Sequence, residues 1–462
     1  MGRSRLSMNN TSYKYLSNIF FSDLFNWSVQ YAQKSESAFR KLYPQVKIGT
    51  FLTRVKNAVN IDDNQSYKRV SIKLYNGGIV LRDIEKGSNI GTKKQFIIKT
   101  GEFLLSKIDA RNGAVGIVPD SCDGAIITGN FWSFKIDSDL IKPEFLTLLA
   151  TTKYFTKIFD SASNGTTNRH YLQEDLFLNI EIPLPSIETQ REIVEEYNKL
   201  CQTAVNLKKQ AVGILEEFSS IFKLKLGIQT NANEASKVGF RTIPFSKITK
   251  WSIAELSKSQ TYLFVKSKFE CRNVEDLISL MSGGKTPSTG NSAYWQEGDV
   301  CWTSAKDMKD LFLKATEDHI TKAAVHENSL TIHQPGTILA VFRSGILRHS
   351  FPIAISTVPT TINQDLKAIK LNNNLILDKY FLFYFYFMQK LVLESAMKTG
   401  VTVESIDVDA FLKIPVVVPP LTEQQNIIAQ IDKIMQKIQD LKSKADIIKI
   451  EAQQQFEKEL FE

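Results

Sequence analysis

The sequence predicts an α+β fold in which two strand-rich, mixed α/β blocks stand in tandem, each followed by one long helix. Three observations carry the prediction. A heptad stripe occurs twice: Ile193, Tyr197, Leu200, Ala204, Leu207, Ala211, Ile214, Phe218 and Ile221 repeat at steps of four and three, and so do Ile427, Ile431, Ile434, Ile438, Leu441, Ala445, Ile448 and Ala452. The stripes keep a constant offset of 234 residues (193 to 427), and the segments ahead of them recur in the same order. Those segments hold short apolar runs punctuated by Gly, Asn and Asp, the pattern of strands and turns. Apolar residues at this spacing bury a narrow seam against another helix.

Taken in order, residues 1–26 read as a leader, and Trp27-Ser28-Val29 opens the first block, 27–185. Val70-Ser71-Ile72, Gly78-Ile79-Val80-Leu81, Phe96-Ile97-Ile98 and Phe103-Leu104-Leu105 read as strands. Pro143 to about Phe159 reads as one helical stretch, with Phe145, Leu148, Leu149 and Phe155 on one side. Phe177-Leu178-Asn179-Ile180 reads as a strand running towards Ile182-Pro183-Leu184-Pro185, after which Ser186 can cap a helix over 186–228. Its core, Glu188 to about Leu226, is about 58 Å long at about 1.5 Å per residue. Residues 229–242 form a polar linker.

The second block, 243–420, contains Trp251-Ser252-Ile253 and repeats the first. Gly336-Thr337-Ile338-Leu339 stands 235 residues after Gly101-Glu102-Phe103-Leu104, and Phe411-Leu412-Lys413-Ile414 stands 234 after Phe177-Leu178-Asn179-Ile180. Asp378 to about Met397 corresponds to the helical stretch at Pro143, and Gly400 to Gly165; a helix over 421–462 closes the chain.

Composition excludes several classes. At 462 residues with 43% hydrophobic and 23% charged residues, the chain is long enough for two or more cores and ordinary for a soluble protein. A net charge of +8 favours anionic partners such as nucleic acid. Four scattered cysteines (Cys122, Cys201, Cys271, Cys301) read as reduced thiols, and His319, His326 and His333 as a solvated coincidence rather than a metal site. The run from Tyr380 to Met388 is too short to span a bilayer and suits a buried helix. No membrane association is expected, and the expected location is the cytoplasm.

Enzyme signatures fail. Gly283-Gly284-Lys285-Thr286 resembles the tail of a phosphate loop, but Ser279 stands where its first glycine belongs. Pro419-Pro420 lacks the flanking Asn and Tyr that hold a flipped base, and Pro119-Asp120 has no acidic-x-Lys strand at a useful distance. No catalytic centre, metal or cofactor is expected in this chain.

What remains is a set of basic and polar loops in each block. The first holds Lys73, Arg82, Lys93, Lys94, Lys107, Arg111, Asn112 and Arg169; the second holds Lys285, Thr286, Thr303, Ser304, Lys306, Arg343 and Arg348. Lysine neutralises phosphates, whereas Arg and Asn can read base edges in the major groove, so these are the candidate DNA-contacting residues. Lys73 stands 233 residues before Lys306, and Lys107 and Arg111 share a turn region with Arg343 and Arg348.

The arrangement resembles the DNA-specificity subunit of Type I restriction–modification enzymes, from about Trp27 to the end. The most specific parts are Ile182-Pro183-Leu184-Pro185 with Gln190-Arg191-Glu192-Ile193-Val194, and Pro419-Pro420-Leu421 with Glu423-Gln424-Gln425 and Ile427-Ile428. Ser282-Gly283-Gly284-Lys285-Thr286-Pro287, Tyr294-Trp295 and Trp302-Thr303-Ser304-Ala305-Lys306-Asp307-Met308 add to it; residues Asn57 to Asn64 of the first block lack the Gly-Gly-x-Thr-Pro pattern.

The resemblance implies two tandem target-recognition domains separated by two long antiparallel coiled-coil helices, with an internal pseudo-two-fold repeat. It implies a non-catalytic subunit that reads a bipartite double-stranded DNA target, the helices setting the gap at no more than roughly 17 base pairs. The implied partners are two DNA adenine methyltransferase subunits and ATP-dependent restriction/translocase subunits, which would use S-adenosylmethionine, ATP and Mg2+. Val194, Leu215, Phe222, Ile428 and Phe456, off the seam, are available for partner helices or for their own blocks. The competing reading is a coiled-coil scaffold for protein interaction without specific DNA binding.

Overall fold

The structure, a computed structural model, describes residues 43–74, 77–164, 171–230, 262–263, 267–398 and 403–461. The expectations for the leader, for the segments at Trp27 and Trp251, for Gly165, Arg169 and Gly400, and for most of the linker lie outside the described residues. The chain divides into two compact units: the residues up to Leu207 with those from Ser443 onward, and Lys208–Lys442.

In the first unit β1 (Gln45–Lys47) runs through one helical turn, α1 (Ile48–Phe51), into β2 (Leu52–Val55). A five-stranded sheet has the order β3 (Ala58–Asn60), β6 (Lys94–Ile97), β9 (Ile126–Ile127), β4 (Ser66–Ile72), β5 (Ile79–Lys86). An antiparallel sheet has the order β2, β10 (Phe131–Ile136), β7 (Phe103–Ser106), β8 (Val115–Ile117). Two helices, α2 (Pro143–Ala150) and α3 (Lys153–Ser161), follow, so the single helical stretch expected from Pro143 is broken. Thr151 and Thr152 turn their hydroxyls back to the carbonyls of Leu148 and Leu149 at 2.6 and 2.8 Å, ending α2. Thr152 Oγ1 then accepts the Phe155 amide at 3.1 Å and caps α3.

A short pair, β11 (Ser163–Asn164) and β12 (Tyr171–Leu172), precedes α4 (Glu174–Asn179). The strand expected at Phe177–Ile180 is therefore helical up to Asn179. Glu174 and Asp175 favour a helix start in its first turn, and Phe177 is the residue it buries. The strand comes next, β13 (Glu181–Pro183), antiparallel to β1.

The second unit opens with the pair β14 (Gln229–Thr230) and β15 (Tyr262–Leu263), so two residues expected in the linker are in a strand. It then repeats the frame: β16 (Glu270–Asn273), α6 (Val274–Leu277), β17 (Ile278–Gly283). Its main sheet runs β17, β24 (Leu366–Leu371), β21 (Ile338–Val341), β22 (Ile353–Ser356), β19 (Phe312–Leu313), the first unit's order with one strand added. The companion sheet, β20 (Asp318–Ile320), β18 (Val300–Thr303), β23 (Thr360–Ile362), has three strands, and α7 (Lys322–Glu327) follows β20.

The apolar run at Tyr380 is buried, as its length requires, but again in two helices, α8 (Asp378–Phe387) and α9 (Gln389–Ala396). The hydroxyls of Tyr380 and Tyr384 donate to the carbonyls of Val417 and Pro415 at 2.8 and 3.2 Å. Next come the pair β25 (Met397–Lys398) and β26 (Ser405–Ile406), the helix α10 (Val408–Leu412) at Phe411, and β27 (Pro415–Val418), which pairs with β16.

The long helices are α5 (Ile187–Lys225) and α11 (Leu421–Phe461). Ser186 Oγ accepts the Thr189 amide at 3.2 Å, so the expected cap forms. Each helix also begins with a buried glutamine making the same three bonds. Gln190 accepts the Lys142 amide at 2.9 Å and donates to the carbonyls of Leu140 and Pro185, both at 2.9 Å. Gln424 accepts the Leu377 amide at 2.9 Å and donates to the carbonyls of Leu375 and Pro419 at 3.0 and 2.8 Å. These bonds satisfy backbone groups that the loop ahead of α2 or α8 would otherwise bury unpaired.

Within the first unit the start of α5 meets the end of α11, where Gln455 Nε2 donates to Glu196 at 2.8 Å. Within the second the end of α5 meets the start of α11, where Lys225 pairs with Glu423 at 3.0 Å. The helices are antiparallel. Of the two stripes, Ile193 is buried in the first unit's core, Phe218, Ile427 and Ile431 are buried in the second's, and Ala204, Ile438, Ala445 and Ala452 are buried too, whereas Tyr197, Leu200, Leu207, Ile214, Ile434, Leu441 and Ile448 are half-buried. The stripe departs from the heptad at its end: Ile221 is 50% exposed, and Phe222 is buried against Phe387. An α-helix of 3.6 residues per turn drifts by about 20° per heptad relative to a 3.5-residue repeat, so the 28 residues from Ile193 to Ile221 turn the stripe by about 80°, close to one residue. Phe456 is likewise taken up by its own unit, against Phe145 and Tyr197, and Val194, Leu215 and Ile428 pack on their units' cores.

Among the described residues no helix is long and apolar enough to cross a membrane, and no group of three His, Cys, Asp or Glu side chains is placed to hold a metal ion. His333 is not solvated: it is buried beside β23, exchanging backbone hydrogen bonds with Thr360.

Candidate nucleic-acid interface

In the second unit the chain leaves β17 through Gly284, where it passes so close to β23 that a Cβ would stand 1.9 Å from the Ile362 carbonyl oxygen. Only glycine fits there. The Lys285 amide donates to that same oxygen at 3.1 Å, and Trp302 Nε1 donates to the Lys285 carbonyl at 3.3 Å. The backbone is thus pinned on both sides while the Lys285 side chain is exposed. Thr286 donates its hydroxyl to Gln364 Oε1, which brings the glycine loop beside the turn between β23 and β24. Gln364 is exposed and was not among the sequence candidates; the polar run Asn363-Gln364-Asp365 between two apolar strands was the available signal.

Thr303 and Ser304 do not share that surface. Thr303 is fully buried with its hydroxyl 2.7 Å from that of Thr360, and Ser304 is spent on a capping box with Asp307. A residue at the end of β18 that faces the sheet holds the loop and cannot touch a ligand from there. The cap leads to Lys306, whose ammonium lies 2.8 Å from Asp318 and 3.4 Å from Glu317. The Asp318 carboxylate, first among its neighbours, holds the Lys306 ammonium above its ordinary pKa. Arg343 and Arg348 flank the turn after β21; both are exposed, and Arg348 Nε donates to Glu404 at 2.5 Å.

In the first unit the equivalent turn follows β7. Lys107 has its backbone held by Asn130 and Leu172 and its ammonium 5.8 Å from the Trp132 ring centre. Arg111, half-exposed, and Asn112, exposed, lie in the 3₁₀ turn Ala110–Asn112, and Asn112 Nδ2 reaches Asp109 at 3.4 Å. The other candidates belong to the five-stranded sheet and its connections. Lys73 is exposed just past β4, Lys94 is exposed on β6, Lys93 pairs with Asp63 and donates to the Gly87 carbonyl at 2.8 Å, and Arg82 lies 3.2 Å from Asp83. Asp83 also takes two bonds from Arg69, at 2.6 and 2.8 Å, and that pairing holds its carboxyl below the usual range. Arg169 lies outside the described residues.

The correspondence between Lys73 and Lys306 has a topological basis. Lys73 follows β4, which runs parallel to β9, and Lys306 follows β18, which runs parallel to β23. In each unit, therefore, basic side chains leave the ends of equivalent strands. A rim of this kind can neutralise phosphates and offer guanidinium and amide donors to base edges.

The sequence profile described as the Type I restriction modification DNA specificity domain matches residues 42–212 and 266–452. The specificity subunit of the Type I restriction enzyme EcoR124I/EcoR124II of Escherichia coli is 35% identical over 176 residues, 38% of this chain and 43% of that one. The MjaIX specificity subunit of Methanocaldococcus jannaschii is 28% identical over 189 residues, 40% of this chain and 42% of its own length. The matched part thus spans less than half of either relative. A solved structure described as the structural basis of complex assembly and conformational transition of the type I R-M system shares the fold, with a TM-score of 0.53 at 16% identity over 91% of this chain and 97% of that chain. The chain belongs to the family of Type I restriction–modification DNA specificity domains.

Proposed function

We propose that the chain is the non-catalytic DNA-reading subunit of a Type I restriction–modification complex, and that blocks 27–185 and 243–420 each read one half of a split duplex target. The observation that carries this is the family match to both halves of the chain together with basic turns at equivalent strand ends in the two units. The contacts would divide by residue type. Lys73, Lys94 and Lys285 suit phosphates, and Arg111, Arg343, Arg348 and Gln364 suit base edges.

Its partners would be two DNA adenine methyltransferase subunits, which bring S-adenosylmethionine, and ATP-dependent restriction/translocase subunits, which bring ATP and Mg2+. Val205 and Val212 on α5 and Ile447 and Ile450 on α11 are each 50% exposed or more, and such apolar residues suit helices of a partner.

Adenine methylation mapped across the genome in cells with and without this chain tests the reading. One bipartite motif should lose methylation when the chain is absent, and purified complex should bind that motif with an affinity that falls steeply with salt. An unchanged methylation map would contradict it.

A further inference from the structure

The charged candidates differ in what holds them. Lys93, Lys306 and Arg82 pair with carboxylates that are themselves between 39% and 64% exposed, so water competes for both partners. Arg348 is different: its side chain is 60% exposed, but that of its partner Glu404 is 5% exposed. The Glu404 carboxylate accepts Nε–H through Oε1 at 2.5 Å, and its Oε2 is buried without a hydrogen-bond partner among the described residues. A buried carboxylate cannot release a paired cation cheaply, so the guanidinium is held before any ligand arrives.

The backbone on both sides is fixed as well. Ser344 donates its amide to the Glu404 carbonyl at 3.1 Å, Ile406 donates to the Phe342 carbonyl at 2.8 Å, and Arg343 bridges Ser405. Leu347, fully buried, anchors the 3₁₀ turn Gly345–Arg348. With Nε engaged, the guanidinium keeps the four N–H donors of its two terminal nitrogens, a fork that matches the O6 and N7 acceptors of guanine and not the N6 donor of adenine. The Arg348 guanidinium also holds the Glu404 carboxyl below its ordinary pKa, which keeps the pair ionised at neutral pH.

We propose that Arg348 reads a guanine in the half-site recognised by the second unit, and that Glu404 is the positioning residue that sets its guanidinium for that contact. The proposal rests on the DNA-reading function above. Pre-organisation matters because an arginine free to rotate loses entropy on binding and can satisfy other bases.

The test uses the full chain assembled with its methyltransferase subunits, and reads adenine methylation on a duplex library randomised in both half-sites. Arg348→Ala and Arg348→Lys should relax one guanine position in one half by roughly 5- to 160-fold and leave the other half unchanged. Glu404→Ala should relax the same position, whereas Glu404→Gln, whose amide oxygen still accepts Nε–H, should keep most of the discrimination. Because Arg348→Ala strands a buried charge, the double variant Arg348→Gln with Glu404→Gln serves if the single one fails to fold, and it should relax the same position. If folded Arg348 variants keep every guanine requirement, the proposal is overturned. Exchange of the block 243–420 for that of another family member separates this from the parent reading. An exchange that switches one half while Arg348 variants change nothing defeats only the proposal, and an exchange that switches neither half defeats the reading.

Discussion

The two units keep the same frame and differ in what they hang on it. Both order their main sheet alike, both break the helical stretch behind it in two, and both lock the long helix with a glutamine. The companion sheet has five strands in the first unit and three in the second, where the glycine loop and α7 take over part of the surface. The shared core is buried and hydrogen-bonded, and the exposed cations stand on turns at strand ends, as at Lys73, Lys285 and Arg343, and on the companion sheet, as at Lys94. A change in the frame is felt through packing, where each residue touches many others; a change in the rim is felt through what it meets.

The largest effect should come from the shared lock. Gln190→Leu or Gln424→Leu leaves one N–H and two C=O groups buried without a partner, at about 1–3 kcal/mol each. Hydrogen exchange resolved by unit should show the loss in the unit that carries the substitution, and of similar size in both. A negligible effect in either would mean that water replaces the lock.

Next comes the seam. Ala204 and Ala445 are fully buried, so Ala204→Leu should cost about 1–3 kcal/mol by overpacking. Val205→Ala, one residue along and half-exposed, should stay within about 0.5 kcal/mol. Denaturant melts of the two variants check the contrast.

Rim residues should invert this pattern. Lys285→Ala should change stability by less than about 0.5 kcal/mol, yet weaken duplex binding on all sequences and lower the salt slope by about 1. A fall in stability without a change in slope would move Lys285 from the rim into the frame.

The smallest effect concerns His333, whose pKa is lowered first by burial and then by Lys370. Its folded pKa lies below the unfolded value, so the unfolded state takes up the proton first and stability falls as pH drops below about 6.5. His333→Gln should flatten this part of the stability–pH curve; an equally steep curve would assign the dependence elsewhere.

The repeat was legible because a heptad stripe needs only residue type and spacing, and nothing tertiary competes with it. Phe177–Ile180 was misread because a four-residue apolar run suits strand and helix equally, and the acidic first turn at Glu174 and Asp175 decided it. Ile221 misled because the stripe was extended by spacing alone, whereas the helix drifts and Phe222 meets Phe387. At the candidate interface the arginines were visible as charges, but Glu404, 56 residues after Arg348, was not. Thr303 looked like Thr286 in sequence, and only the sheet decides that one faces inward.

The central claim is that the frame is common while each block reads its own half-site. Exchanging residues 27–185 for the corresponding block of another family member, then sequencing the methylated motif, tests it most directly. One half of the motif should switch and the other should remain; a motif changed in both halves, or in neither, would contradict the account.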